Sequence, residues 1–430
     1  MRRFIVKYFL IGKTDKNNLS ERRFINMYKN KYPFIFVHGM MGWGEDQKTY
    51  DFMPYWGFVC GNYVKKLRKD GIEAYAPSVG PLSSAWDRAC ELYAQLVGGT
   101  VDYGAAHSKK SHHERFGRTY DKPLFEGWGK PIKDGGIKKI HILGHSFGGQ
   151  TVRMLATLLE DGCEEERLAS PGDVSPLFEG GHGDWLMSVT TLSSPHNGAT
   201  DVHAAPGALS ATVFVILLAT TVLANRGHGD VYDINMEQFG LMKDPFHFKP
   251  EKKSFLLTKK QWKAIYNIFR YKDTLGFAFR VDQAEQLNKT QHTTKDAYFF
   301  SIAGNGTRPM KNHPQFYVPA PIMGLPLCAS AALMGFFPLK KIGGVQLDET
   351  WRESDGMVPI ASARYPFGEP HVNYADADKI TKGIWHVMPD IIADHLSATG
   401  GSTYYLRRKH KKEWLGYWKN HLKTLQSLED

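Results

Sequence analysis

The pentad Gly144-His145-Ser146-Phe147-Gly148 is built to expose a hydroxyl group. An apolar run, Ile140 to Leu143, stops abruptly there, and Gln150 to Leu159 then follows a helical period closed by Asp161 and Gly162. A serine at such a strand-to-helix turn is held in a strained backbone conformation that lifts its hydroxyl off the strand end. A β-carbon two residues to either side would collide with the neighbouring strand or helix. The helix N-terminus offers unpaired N–H groups and partial positive charge to an oxyanion formed beside the serine. Ser146 is therefore the candidate nucleophile and the N–H of Phe147 a candidate oxyanion donor. A glycine-rich turn that serves topology alone is the plainer alternative.

A serine hydroxyl attacks only when an imidazole accepts its proton, and that imidazole needs a carboxylate to fix its tautomer. Downstream, Asp355 stands in the turn Ser354-Asp355-Gly356, and His395 follows the short apolar run after Asp390. The order serine, acid, histidine is that of one large class of hydrolases. His386 as base, and Asp376, Asp378 or Asp390 as acid, satisfy the residue types equally well. Upstream, Pro33 to Val37 reads as a buried strand running into His38-Gly39-Met40-Met41-Gly42-Trp43-Gly44. Glycines there let the chain fold back so that the N–H of Met40 can face the nucleophile. A second chemistry belongs to Asp87, His107 and His113, an O,N,N set that suits zinc, although histidines in a polar loop are also simply solvated.

The elements that must position these residues alternate. Tyr55 to Asp70 reads as a helix, Glu73 to Ala76 as a strand, Ala85 to Val97 as a helix, Leu186 to Ser193 as a strand. Further on, Lys259 to Arg270 is a predicted helix, Ala297 to Ala303 a strand and Thr403 to Leu425 a basic, aromatic helix. This alternation predicts a mostly parallel sheet with helices on both faces. Residues 304–345, rich in glycine and proline, read as a covering loop. Ala208 to Ala224 is apolar but diluted by Ser210, Thr212, Thr220 and Thr221, and falls just short of the ~20 residues of a membrane span. It is expected as a lid over about 203–228, or as a fully buried helix.

With 430 residues, 42% of them hydrophobic, the chain can build one large core, read as a single domain over 32–430. The net charge of +10 comes from scattered basic clusters without a nucleic-acid motif. Cys60, Cys90, Cys163 and Cys328 form no CxxC pair, which argues against a disulfide scaffold or a thiolate zinc site. Met1 to Gly12 has the basic start of an export signal, yet Lys7 interrupts its apolar run and no small-residue cleavage site follows. Residues 1–31 are expected as an N-terminal arm or an atypical export segment.

Longer stretches carry a resemblance. His38-Gly39, Gly42-Trp43-Gly44, Val79-Gly-Pro-Leu-Ser-Ser84, Trp86-Asp-Arg-Ala-Cys-Glu91, Arg115-Phe-Gly-Arg-Thr-Tyr120, Gly148-Gly-Gln-Thr151 and Ser175-Pro-Leu-Phe-Glu-Gly-Gly181 resemble the large zinc- and calcium-binding true lipases of thermophilic bacilli and staphylococci. The resemblance implies an α/β-hydrolase fold with a helical lid and a zinc-binding insertion at 98–122 and about 230–240. It implies Ser146, Asp355 and His395 as catalytic triad, and Met40 and Phe147 as oxyanion donors. Asp87, His107 and His113 fall on three ligands of a structural zinc, and Glu237 on the fourth, where the family has aspartate. The family's calcium carboxylates have no counterpart at Ser397 or in Thr399 to Thr403, so calcium is not expected. The activity implied is that of a secreted triacylglycerol lipase acting on lipid or ester at an interface, with no nucleic-acid partner and no transmembrane span. A phospholipase, a short-chain carboxylesterase and a catalytically silent lipid-binding protein are the alternatives. A zinc hydrolase is disfavoured, because four protein ligands leave no open position.

Overall fold

Phe34 to Val37 is apolar on both faces, and a strand of that kind must be covered on both sides. Strand β1 (Phe34–Val37) sends Ile35 and Val37 into one core and Phe34 and Phe36 into another. Around it lie β2 (Ala74–Tyr75), β3 (Ile140–His145), β4 (Leu186–Leu192), β5 (Tyr298–Ile302), β6 (His371–Asn373) and β7 (Trp385–Val387). They form a seven-stranded sheet in the order β6-β7-β5-β4-β3-β1-β2, with every pair parallel. The main helices are α1 (Ala85–Val97), α2 (Phe147–Asp161), α3 (Ala208–Asn225), α4 (Lys259–Tyr271), α5 (Leu325–Gly335) and α6 (Arg408–Gln426). Helices α1 and α2 pack on one face of the sheet, and α6 closes the other with Trp414, Trp418 and Leu422. The computed structural model describes residues 29–133, 135–243, 250 and 253–430.

The arm expected over 1–31 lies outside the described residues except for its last three. Of these, Asn30 is buried, donating to the carbonyls of Leu425 and Leu428 at 3.0 and 3.1 Å, with its amide oxygen 2.8 Å from His141. The chain is thus anchored against the end of α6 before β1 begins.

Three expectations change. The helix expected over Tyr55 to Asp70 forms only at Tyr63–Lys69, because Gly57 and Gly61 take left-handed φ values of +96° and +88°. Asn62 then caps it by accepting from the Lys65 N–H at 3.0 Å. The segment 304–345 is no plain loop: it holds an antiparallel hairpin, Thr307–Met310 with His313–Pro319, and helix α5. Proline at the first turn of α5 fits a helix start, and Gly335 lies so close to the Tyr317 carbonyl that a β-carbon would come within 2.0 Å of its oxygen. Finally, α3 is not fully buried. Val213, Leu217, Thr220 and Thr221 are its buried residues, while Phe214, Val215 and Leu223 face solvent. It rests on α4 through a cluster with Ala264, Ile265 and Ile268. Among the described residues it is the helix long and apolar enough to cross a membrane, by length and composition alone.

Candidate active site and metal centre

Strand β3 ends where the chain turns directly into α2, and Ser146 at that corner adopts φ 56°, ψ −130°. The turn is possible only where neighbouring backbones can touch. A β-carbon on Gly144 would sit 2.3 Å from the Gly148 carbonyl oxygen, and one on Gly148 2.5 Å from that of Val37. The Ser146 N–H donates to the Leu192 carbonyl at 2.8 Å, tying the corner to β4.

Two further loops converge on it. Asp355 is buried in the turn before Val358, whose N–H, with that of Met357, donates to Asp355 Oδ1 at 2.8 and 2.9 Å. Its other oxygen, Oδ2, lies 2.7 Å from His395 Nδ1, and its carbonyl accepts the His395 N–H at 2.8 Å. These bonds fix both the ring and its tautomer, leaving Nε2 free to act. The His395 ring lies 4.6 Å from that of His145, the residue before Ser146. The other candidates lie elsewhere. His386 is buried within β7, accepting from the Thr381 N–H at 3.2 Å, and Asp390 pairs with Arg364 at 2.6 Å. Asp376 accepts from the Asn373 side chain at 2.9 Å, and Asp378 follows it in the connection between β6 and β7.

The His38–Met41 loop comes against the corner from β1. A β-carbon on Gly39 would lie 2.6 Å from Ser146 Cβ and 3.1 Å from its Oγ, so the loop needs glycine to approach Ser146 at all. Two groups that the sequence reading did not single out hold it, the buried Arg88 and the part-buried Tyr55. The Arg88 guanidinium donates to the carbonyls of His38 at 2.5 Å and Gly80 at 2.7 Å, and to Thr151 Oγ1 at 2.7 Å. Burial pulls its pKa down, while Glu91 on the same helix opposes that shift. Tyr55 accepts the Gly39 N–H at 3.0 Å and its hydroxyl lies 2.6 Å from His145 Nδ1; His145 Nε2 lies 3.1 Å from the His395 carbonyl. The partners assign the protons: Tyr55 donates to Nδ1, and Nε2–H donates to the carbonyl. Complete burial holds His145 well below the usual histidine range and pushes His38 down to about 3, so both stay neutral. One chain of hydrogen bonds therefore connects the Gly39 loop, the serine corner and the backbone of His395. The only sequence signal for it was a tyrosine and a histidine flanking the motifs, which is too little to assign.

A second cluster lies beside α1. Asp87 Oδ1, His107 Nε2, His113 Nε2 and Asp273 Oδ2 converge, with separations of 3.0 Å (His107–Asp87), 3.1 Å (His107–Asp273), 3.2 Å (His113–Asp273) and 3.7 Å (His113–Asp87). Four ligands placed tetrahedrally about 2.0–2.1 Å from an ion stand roughly 3.3–3.4 Å apart, so these oxygens and imidazole nitrogens fit a tetrahedral divalent centre. Groups behind the ligands orient them: Gln238 donates to Asp87 Oδ2 at 2.9 Å, the Glu114 carbonyl faces His113 Nδ1 at 2.8 Å, and Trp86 stacks on His107. The expected fourth ligand, Glu237, is not in the set. It pairs with Arg118, which also holds Asp233 at 2.6 Å, and burial raises its carboxyl above the usual range. Asp273 takes the place instead, delivered by the turn after α4, where Lys272 takes a left-handed φ of 65°.

Two outcomes follow from this geometry. Replacing Asp273 with Ala lowers the bound metal of the purified protein, measured by elemental analysis, by at least about tenfold at limiting metal, whereas Glu237→Gln leaves it unchanged. Replacing Tyr55 with Phe leaves the Gly39 N–H and His145 Nδ1 without their partner, a loss of ~1–3 kcal/mol. It is expected to lower the free energy of unfolding by that amount, read by urea denaturation of the purified protein.

Comparison with known proteins agrees with this architecture. Lipase 1 of Staphylococcus aureus is 33% identical over 386 residues, covering 88% of this chain and 52% of that protein. The chain thus spans about half the length of the curated relatives it matches. Among solved structures, lipase 1 of Pelosinus fermentans superposes with a TM-score of 0.74 at 34% identity, covering 93% of this chain and 100% of that one. The Staphylococcus hyicus lipase superposes with a TM-score of 0.75 at 28% identity, covering 93% and 97%. Residues 30–430 match the family described as lipase-like, C-terminal domain, and the chain belongs to that family, with its α/β-hydrolase type of fold.

Proposed function

We propose that this protein hydrolyses carboxylic esters, triacylglycerols foremost, through an acyl-enzyme on Ser146. The observation that carries the reading is the buried Asp355–His395 pair, held at 2.7 Å beside a serine in a left-handed turn. In this mechanism His395 Nε2 takes the hydroxyl proton as Ser146 Oγ bonds to the ester carbonyl carbon. The carbonyl electron pair moves to oxygen, where the N–H groups of Met40 and Phe147 hold the oxyanion at the N-terminus of α2. Collapse breaks the bond to the alcohol oxygen, which leaves with the proton from His395. Water, deprotonated by the same ring, then releases the fatty acid. Asp355 stays ionised throughout and stabilises the imidazolium.

The four-ligand set is read as a structural zinc site. Zinc bound there ties α1, the short helix Ala105–Ser111 and the end of α4 together, and protein ligands fill all four positions. Helix α3 is read as the lid: it rests on α4 by a narrow strip and turns Phe214, Val215 and Leu223 outward, the surface a lid presents to a lipid aggregate. By kinship with the staphylococcal lipases, the enzyme is assigned to the outside of the cell.

Two measurements test this. Hydrolysis of p-nitrophenyl esters and emulsified triolein should vanish in Ser146→Ala, together with covalent labelling by a fluorophosphonate. Activity that survives there sinks the mechanism, and activity confined to short soluble esters moves the reading to carboxylesterase. Serine at positions 214, 215 and 223 together is expected to cut triolein turnover by about tenfold with p-nitrophenyl acetate unchanged. An equal loss on both substrates would deny α3 a role at the interface.

A further inference from the structure

Helix α4 has two unlike faces. Ala264, Ile265 and Ile268 are buried against α3, and the opposite side carries Lys259, Lys263, Tyr266 and Arg270 at helical spacing, all exposed, with Trp262 and Lys260 beside them. Trp262 is 48% and Tyr266 59% exposed, and Phe255 and Leu256, just before the helix, are 67% and 80% exposed. Every charged side chain between residues 252 and 272 is a lysine or an arginine. Two exposed lysines extend the patch: Lys109 and Lys110 lie in the last turn of the helix Ala105–Ser111, and His112, which follows the helix, stacks on Tyr271 at 3.7 Å.

We infer that this face is a docking surface for an anionic lipid interface, separate from the site that turns the ester over. The composition decides the partner. Lysines supply attraction to acidic headgroups, while indole, phenol, phenyl and leucyl groups standing among them insert at headgroup depth. Rings among lysines would also suit a single strand, whose bases stack on them, but the aliphatic Leu256, 80% exposed beside Phe255, and the junction with the apolar helix α3 favour a lipid surface. The patch is also joined to α3. The Arg226 guanidinium at the end of α3 lies 4.3 Å over the Phe255 ring, and the Gln261 amide donates to Asn225 at 2.8 Å. Docking through α4 therefore engages the helix on which α3 rests, and reaches α3 itself through the Phe255 contact at its end. This purpose rests on the proposed function, but the binding itself does not.

The test uses the full chain carrying Ser146→Ala, so that no lipid is consumed, in flotation with phosphatidylcholine vesicles with or without phosphatidylglycerol. Binding is expected to rise at least tenfold with phosphatidylglycerol and to fall with added salt. The triple variant Lys259→Glu, Lys260→Glu, Lys263→Glu should weaken it on the order of 100-fold, at about a factor of five for each lysine removed from the surface. Lys259 and Lys260 stand in the first turn, where acids suit a helix N-terminus, and Lys263 is exposed, so thermal midpoints should match the parent. A charge-matched variant, Lys409→Glu, Lys411→Glu, Lys412→Glu, should stay within about threefold, which separates this patch from net charge. Equal losses in the two variants, or no preference for phosphatidylglycerol, overturns the inference. So does binding that the α4 variant loses on heparin but not on vesicles. With Ser146 intact, the α4 variant should hydrolyse soluble p-nitrophenyl butyrate at the parental rate, so failure of docking and failure of the catalytic reading give different results.

Discussion

The constraint on which the rest depends is contact between backbones at the end of β3. Ser146 holds a left-handed conformation, and β1, β3 and α2 approach one another there too closely for any side chain at Gly144 or Gly148. Strain of this kind costs of order 1–3 kcal/mol, and persists only where the surroundings over-determine it. Here they do so from three sides: β4 takes the Ser146 N–H, the buried helix α2 leaves no slack behind it, and Gly39 closes the front. The sheet on either side is apolar on both faces, so the corner cannot relax without opening two cores at once.

Much of this was legible because local chemistry announced it. The strand, the glycines and the helix around Ser146 are contiguous, and the apolar runs of β1, β3, β4 and β5 stand out against polar surroundings. The order of Ser146, Asp355 and His395 left His386 open until the structure buried it inside β7, where its ring serves the backbone of a neighbouring strand. What stayed hidden depends on contacts between distant residues. Asp273 looks like any acid after a basic helix; only the pairing of Thr274 and Leu275 with Ser83 and Leu82, just before α1, turns it toward His107 and His113. Glu237 stood in a plausible segment, but Arg118 lies nearer to it than the histidines do, and its neighbour Gln238 reaches Asp87 instead. Similarly, α5 is hidden by the glycine and proline that let it start after a turn and pack on a hairpin.

Around the His38 loop, buried charge is met by backbone groups and hydroxyls. Arg88 spends its donors on two carbonyls and a hydroxyl, and Glu91 accepts the Gly80 N–H at 2.5 Å and the Tyr103 hydroxyl at 3.1 Å. A buried ion of either sign is costly unless fully satisfied, and removing one partner strands the other. Such an arrangement contributes rigidity more than net stability, and rigidity is what a loop needs if its amides are to meet an oxyanion without reorganising.

Helix α1 carries one further consequence. Asp87 belongs to the metal cluster and Arg88, the next residue, clamps the loop that faces Ser146. Consecutive positions on a helix point about 100° apart, so one rigid rod presents a metal ligand on one side and a catalytic brace on the other. On the proposed structural reading of that cluster, loss of a bound ion would loosen the first turn of the rod and be felt at the serine without any contact between ion and substrate. Inhibition by a chelator in this fold would therefore report the stiffness of a scaffold, and reading it as metal catalysis would assign the chemistry to the wrong end of the helix.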